Sequence, residues 1–279
     1  MYINYIILHR KPLCMGEATV RNMTHDNPSY RIKTAVNVFD IIRVIHDSEG
    51  ATLSDLEAEI DLARSTIHDY VQTLAELGYV IKDDGTFYTS LEFLRLGHKA
   101  KVIQTAWLQI KPALEEIGDE TGENIWFVVE ENGKAVYVDN YSGERVLYTF
   151  NAPGTREYLH CVAAGKAIMA HLPDERVDEI IDRHGLPKFT ENTITDPAEL
   201  RAEFEAIRER GVAFSRGERR DEIRGVATPI IDDGHVLGAI TLGAPTKRLS
   251  GQFFTEELPN LVTGAANRIE FSFQQTNLQ

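Results

Sequence analysis

The stretch ARSTIHDYVQTLAELGYVIKDDGTFY, from Ala63 to Tyr88, constrains the fold more than any other part of the chain. Leu62, Ile67, Tyr70, Val71, Leu74 and Leu77 fall at steps that place them on one side of a helix. Gly78 stands where a helix stops on a left-handed residue. Directly after it, the β-prone runs Tyr79-Val80-Ile81 and Phe87-Tyr88 flank Lys82-Asp83-Asp84-Gly85-Thr86, whose Asp-Gly pair favours a tight hairpin. A helix that ends on glycine and passes straight into a hairpin is compatible with few supersecondary arrangements.

The residues upstream narrow them further. Thr34 to His46 is dense in apolar residues at helical spacing, a first helix. Ser54 and Glu57 stand at capping-box spacing and predict a second helix over Asp55 to Ile60. A short break at Asp61-Leu62-Ala63 then leads into the third helix, which makes a helix-turn-helix, with the hairpin as a wing. In such a module the second motif helix enters the major groove and the hairpin lies against the neighbouring backbone or minor groove. The face opposite the apolar stripe carries Ser65, His68, Asp69 and Gln72, flanked by Arg64, Thr66 and Thr73, and Lys82 lies in the hairpin. Gln pairs bidentately with adenine, Ser and Thr bond bases or phosphates, and Asp accepts from the cytosine amino group but is of no help with phosphate.

Charge limits how such a helix can work. The 279 residues hold 43 Asp+Glu against 29 Lys+Arg, a formal net charge of -14, so any nucleic-acid contact has to be local. This acidic balance fits a salt-adapted prokaryote. The two cysteines, Cys14 and Cys161, match no disulfide framework and no metal spacing, which fits a reducing cytoplasm, and neither metal nor cofactor is expected. Tyr2 to Leu8 is apolar but too short to span a membrane, and its basic residues follow it, so neither signal peptide nor anchor is read. Residues 1–30 read as a flexible N-terminal extension, residues 1–22 being a start of doubtful nativeness.

Leu91 to Ile117 predicts two helical pieces broken before Pro112, a linker over 91–118 with enough apolar surface to pair with a second subunit. Beyond Asp119 the pattern alternates. Strands are predicted at Asn124 to Glu130, Ala135 to Asp139, Val146 to Phe150, Gly225 to Ile231 and Val236 to Leu242. Helices are predicted at Cys161 to Leu172, Asp174 to His184, Pro197 to Gly211 and Thr255 to Gln274. Strands in hairpins with helices grouped between them make an α+β domain over 119–279, with a largely antiparallel sheet able to hold a small molecule. Ala163, Ala164 and Gly165 open a helix whose first-turn N–H groups would suit a carboxylate.

The chain from about Arg31 to Gln275 resembles the IclR family of transcription regulators. The stretches that carry this are ARSTIHDYVQTLAELGYV in the first domain, and TGENIWFVV, APGTREYLHCVAAGKAIMA and GVATPIIDDGHVLGAITLGAP in the second, in the family's order. The resemblance implies an all-α winged helix-turn-helix over 31–90, a linker helix and an α+β, GAF-like effector-binding domain. It implies a homodimer or dimer of dimers that binds a double-stranded operator, as repressor or activator, under control of a small metabolite such as an organic acid or a sugar derivative. The effector-binding positions it implies are Ala163, Ala164, Ser215, Ile223, Gly225, Thr241 and Gly243. The sequence departs from the family where Asp69 follows the recognition-helix His and where Ser215 and Gly225 replace an acid and a cysteine of some members.

Two other classes compete. A ligand sensor using its winged helix for protein contacts would explain why Ser54 to Tyr88 holds eight acids against Arg64 and Lys82. An enzyme is disfavoured: neighbouring helix residues such as His160 and Cys161 point about 100° apart, so no catalytic residues are assigned. Gly165-Lys166 lacks the first glycine of a phosphate loop. Arg216, Arg219, Arg220 and Arg224 read either as a solvated, salt-bridged loop or as an attractor for an anionic effector.

Overall fold

The computed structural model describes residues 32–104, 107–144 and 151–276. Two expectations, the N-terminal extension and the strand at Val146 to Phe150, lie outside them. The chain divides into two compact units, Met1–Ala100 and Lys101–Gln279.

The first unit contains α1 (Lys33–Asp47), β1 (Ala51–Thr52), α2 (Leu53–Glu59), α3 (Arg64–Glu76), β2 (Val80–Asp83) and β3 (Thr86–Thr89). Its core is built from the predicted apolar stripes: Ile41 and Ile45 of α1, Leu56 of α2, and Ile67, Val71 and Leu74 of α3 pack with Ala51, Val80 and Phe87. Gly78, at φ 82°, ends α3 in a Schellman turn, with Gly78 N–H bonded to the Ala75 carbonyl and Tyr79 N–H to that of Leu74. Asp84 and Gly85 have φ of 42° and 83°, the two positive angles that a type I′ hairpin needs, and they join β2 to β3.

Three expectations give way here. The capping box of α2 is Thr52 with Asp55, the carboxylate accepting from Thr52 N–H at 2.8 Å, and not Ser54 with Glu57. Both pairs have the same spacing, and β1, which pairs with β3 and was not foreseen, sets where the chain leaves the sheet and the helix starts. Leu77 is 64% exposed because it is the last, C-capping residue of α3, where the helix turns away from its core. The unit is also not all-α, since β1, β3 and β2 form a three-stranded antiparallel sheet.

Two helices follow, α4 (Glu92–Gln104) and α5 (Trp107–Thr121). The expected break before Pro112 does not occur; Pro112 lies inside α5. Its ring removes one helical hydrogen bond, and the burial of Ile110, Ala113, Leu114 and Ile117 around it holds the helix together.

The second unit is a three-layer α+β structure. Its sheet comprises β4 (Asn124–Glu131), β5 (Lys134–Ser142), β6 (Arg156–Tyr158), β7 (Ala213–Arg216), β8 (Ile223–Asp232) and β9 (His235–Pro245), in the order β6-β5-β4-β9-β8-β7 with every described pair antiparallel. The strand period of two divides its residues between two cores. Ile125, Phe127, Ile240 and Leu242 face α5 and α9 (Leu258–Thr276). Trp126, Val128, Ala227 and Ala239 face α6 (Ala163–Met169), α7 (Asp174–His184) and α8 (Pro197–Arg210). α8 is capped by Asp196, whose carboxylate accepts from Ala198 and Glu199 N–H, and it stops on the left-handed Gly211. The short edge strands β6 and β7 were not foreseen. α6 is shorter than predicted at both ends: Leu159–Cys161 forms a separate 3₁₀ turn before it, and after Met169 the chain passes into tighter turns, His171 N–H bonding the Ile168 carbonyl and Leu172 N–H that of Met169.

Candidate functional site

The first candidate surface is the outer face of α3. Burial of Ile67, Val71 and Leu74 turns Arg64, Ser65, Thr66, His68, Asp69, Gln72 and Thr73 outward, and all of them are exposed, as is Lys82 on β2. Several carry local partners. Arg64 pairs with Glu57 at 2.6 Å, so the acid expected in the capping box instead ties α3 to α2. Gln72 donates to Glu76 at 3.2 Å, and the Thr73 hydroxyl donates to the Asp69 carbonyl at 2.8 Å. The Asp69 carboxylate lies 3.8 Å from Nδ1 of His68, the preceding residue on the same helix. Lys82 extends over the Phe87 ring.

The second candidate is a cavity in the other unit, of about 840 Å³ including its open mouth. Register explains it. Ser215 on β7 is opposite Gly225 on β8, and Gly225 is opposite Gly243 on β9, so a row of small residues crosses three strands on one face. A Cβ added at Gly243 would meet only the Arg224 carbonyl, at 3.7 Å, and one at Gly225 would reach Ala163 Cβ at 3.5 Å. Val162 and Ala163, at the start of α6, and Ile223 and Thr241 complete that part of the wall. On the same sheet face, Trp126 of β4 and Tyr137 of β5 also line the cavity, edge to face with ring centroids 5.3 Å apart. Burial and the nearby Glu157 push the Tyr137 phenol above its usual range, so it stays protonated as a hydroxyl.

Charged groups ring this cavity and are fixed by partners. Arg219 Nε donates to Glu157 at 2.7 Å and its guanidinium stacks on Phe189. Arg248 pairs with the buried Glu123 at 3.2 Å. Arg224 donates to the Leu249 carbonyl at 3.0 Å and lies over Phe254. Arg220 also lines the cavity. Behind the wall, Lys166 of α6 is buried and donates to Glu218 at 2.7 Å, with Glu203 at 3.6 Å. Burial raises the Glu218 carboxyl above its ordinary value, against the opposing pull of Lys166.

Of the seven positions implied by the family resemblance, Ala163, Ser215, Ile223, Gly225, Thr241 and Gly243 line this cavity, while Ala164 is 1% exposed inside the helix-side core and does not. The reason is angular: Ala163 and Ala164 are successive helix residues, and only one of them faces the sheet's gap. Of the arginine run, Arg219, Arg220 and Arg224 line the cavity; Arg216 stacks on Phe214 and Phe254 instead. Sequence reasoning missed Glu123, Trp126, Tyr137, Glu157 and Arg248. Period-two counting along β4 from Asn124 was the available signal for Trp126, and along β5 from Ala135 for Tyr137; Glu123, Glu157 and Arg248 had none.

His160 and Cys161 are both buried, the imidazole against the Pro187 carbonyl and the thiol against that of Tyr158. Burial lowers the His160 pKa and raises that of Cys161, the opposite of what an activated thiolate and its base require. His171, His184 and His235 each bond a backbone carbonyl. No group of three or more His, Cys, Asp or Glu among the described residues is arranged to hold a metal ion, and no described helix is long and apolar enough to cross a membrane.

Comparison with known proteins gives two family matches. Residues 34–84 match the IclR helix-turn-helix domain, and residues 99–271 match the bacterial transcriptional regulator IclR C-terminal domain. A probable HTH-type transcriptional regulator, ArcR, of Halobacterium salinarum is 31% identical over 247 residues, covering 86% of this chain and 93% of the relative. Among solved structures, the IclR of Thermotoga maritima superposes with a TM-score of 0.74 at 25% identity, over 86% of this chain and 98% of that one. An IclR homolog from Microbacterium hydrocarbonoxydans, complexed with 4-hydroxybenzoate, has the same fold, with a TM-score of 0.72 at 21% identity over 86% of this chain and 97% of that one.

Proposed function

The chain belongs to the IclR family of transcriptional regulators, and from that premise we propose that it binds an operator through α3 and that a small molecule in the second-unit cavity modulates this binding. Its families and relatives are regulators, not enzymes. The observation that carries the DNA half of the reading is the exposed face of α3, with hydrogen-bonding side chains at steps of three and four, followed at once by an exposed hairpin. In this reading β2 and β3 form a wing, residues 31–90 are the DNA-binding module, 91–118 the linker and subunit-pairing helices, and 119–279 a GAF-like effector domain.

Arg64, Ser65, Thr66, His68, Asp69, Gln72, Thr73 and Lys82 are the assigned DNA contacts. Arg64 and Gln72 exchange their partners Glu57 and Glu76 for DNA at little cost, because exposed pairs are worth about 0–1 kcal/mol. A homodimer or dimer of dimers then reads half-sites about one helical turn or a multiple apart. Ala163, Ser215, Ile223, Gly225, Thr241 and Gly243 are the assigned effector contacts; that an IclR homolog of the same fold is complexed with 4-hydroxybenzoate supports a small-molecule effector.

The reading is tested by selecting binding sites from random duplexes with the full chain, then titrating the best duplex by fluorescence anisotropy with candidate metabolites present. A palindromic consensus whose affinity shifts with one metabolite class is expected. Failure to enrich any duplex would favour a second reading, a ligand sensor that uses the helix-turn-helix unit for protein contacts. The eight acids against two basic residues over Ser54 to Tyr88 are what recommends that reading.

A further inference from the structure

We propose that Arg219 anchors the effector in the cavity, donating its Nη–H groups to an acceptor oxygen of the ligand, and that Phe189, Thr190, Thr193 and Glu218 are positioning residues that hold it in place. This rests on the effector reading above and adds to it a contact and the support of that contact. Arg219 lines the cavity, whereas none of the four supporting residues does.

The backbone leading into Arg219 is tied down from two sides. The Thr190 hydroxyl donates to the Gly217 carbonyl at 2.7 Å and the Thr193 hydroxyl to the Glu218 carbonyl at 2.6 Å, so both carbonyls before Arg219 are held. The Thr193 oxygen in turn accepts from the N–H groups of Phe189 and Thr190, at 3.1 and 2.9 Å, which closes this stretch between α7 and α8 into a turn. Gly217, at φ 85°, permits the close approach, since a Cβ there would lie 3.2 Å from Asn192 Nδ2. From the other side the Glu218 carboxylate accepts from Lys166 at 2.7 Å, which joins the segment to α6, the helix whose first residue, Ala163, lines the cavity.

The side chain is held as well. Phe189 covers the guanidinium, 4.3 Å from its ring centroid, and Glu157 accepts from Nε–H at 2.7 Å. Among the described residues nothing else accepts from Arg219, so its Nη–H groups are left for a ligand. A loose arginine gives up rotamer freedom when it binds; one already held does not, and the difference appears as affinity. Because Glu157 offsets the charge of Arg219, the oxygen it takes belongs to a carboxylate or to a neutral carbonyl, and the probes below separate the two.

The test is calorimetric titration of the full chain with matched probes: 4-hydroxybenzoate, the acid complexed with the Microbacterium relative, its neutral amide, and p-cresol, which has no acceptor at that position. The acid, the amide or both should bind at least about tenfold more tightly than p-cresol, the scale of one hydrogen bond to a charged group. R219Q should abolish this preference. T193V and F189L should each reduce it by about two- to tenfold, the scale of immobilising one long side chain, with p-cresol binding unchanged, and T193S, which keeps the hydroxyl, should retain it. Without ligand, phenylglyoxal labelling read by peptide mass spectrometry should modify Arg219 several-fold faster in T193V and F189L than in the parent chain, with the similarly exposed Arg201 as reference. Should one variant fail to fold, the other decides. A stronger preference for the acid than for the amide would support the proposal and identify a carboxylate; equal preference would support it with a neutral carbonyl sufficing. Equal binding of all probes, or binding of none, would overturn Arg219 as the anchor. Unchanged labelling, or an equal loss of affinity for every probe in the variants, would overturn the positioning roles. A preference lost in R219Q, with no effect of any probe on operator affinity, would support the proposal and overturn the effector reading instead.

Discussion

The outer face of α3 and the cavity of the second unit both use charged side chains, but under opposite conditions. On α3, Arg64 and Glu57 form a pair whose side chains are 53% and 44% exposed. Around the cavity Glu123 is 4% exposed, and behind it Lys166 and Glu218 are 2% and 8% exposed. Water screens the first pair, and it contributes about 0–1 kcal/mol. Lys166 and Glu218 have both lost their hydration, so each depends on the other, and the buried Glu123 depends on Arg248, whose side chain is 37% exposed. The first region can therefore rearrange its contacts on meeting another molecule, while the second holds a fixed pattern of charge to which a ligand has to conform.

Breaking the buried side of this contrast should have the largest effect. Glu218→Ala leaves Lys166 buried, with only the more distant Glu203 near it, and should cost about 3–5 kcal/mol of unfolding free energy, read from urea denaturation. If that loss were no larger than the loss from Glu57→Gln, the contrast would fail. Next comes Lys134, which burial lowers to about 8 from its ordinary 10.5, offset in part by Cys161 and Glu157. Between those values the unfolded chain holds the proton and the folded chain does not, so this group adds stability as pH rises through the window and loses it as pH falls through about 8. Lys134→Met should flatten the melting temperature between pH 7.5 and 10, removing a pH-dependent contribution of up to about 3 kcal/mol.

On the exposed side the effects are smaller and appear in binding. Gln72→Ala should cost about 1–3 kcal/mol of operator affinity and relax specificity at one base pair, measured against single-base operator variants. Asp69→Asn separates two roles. A change of preference at a cytosine indicates direct readout, and a uniform loss indicates that Asp69 orients His68, 3.8 Å away. The smallest expected effect is on salt dependence. With so few basic residues near α3, operator affinity should fall with added KCl less steeply than the slope of about 0.9 per neutralised phosphate would give for a basic winged helix. A slope indicating six or more phosphate contacts would show that basic residues elsewhere carry the binding.

Local pattern was enough to read much of this protein from its residues. The core stripe of α3, its stop at Gly78, the Asp84-Gly85 turn and α7 with both its ends follow from side-chain period and from glycine's tolerance of positive φ, which act over a few residues. The capping box of α2 shows where local pattern becomes ambiguous: Thr52 with Asp55 and Ser54 with Glu57 have the same spacing, and only the pairing of β1 with β3 selects the first.

Tertiary structure alone decided the cavity and its charges. Ser215, Gly225 and Gly243 become a row through strand register, and Glu123 meets Arg248 because β4 and the segment after β9 come together in the fold. Lys166 and Glu218 are 52 residues apart and share one buried bond. Periodicity states which face of an element is buried. Which partner awaits a buried charge, and where small residues leave a gap, depend on the close approach of distant segments, whose register is set by packing of the whole domain.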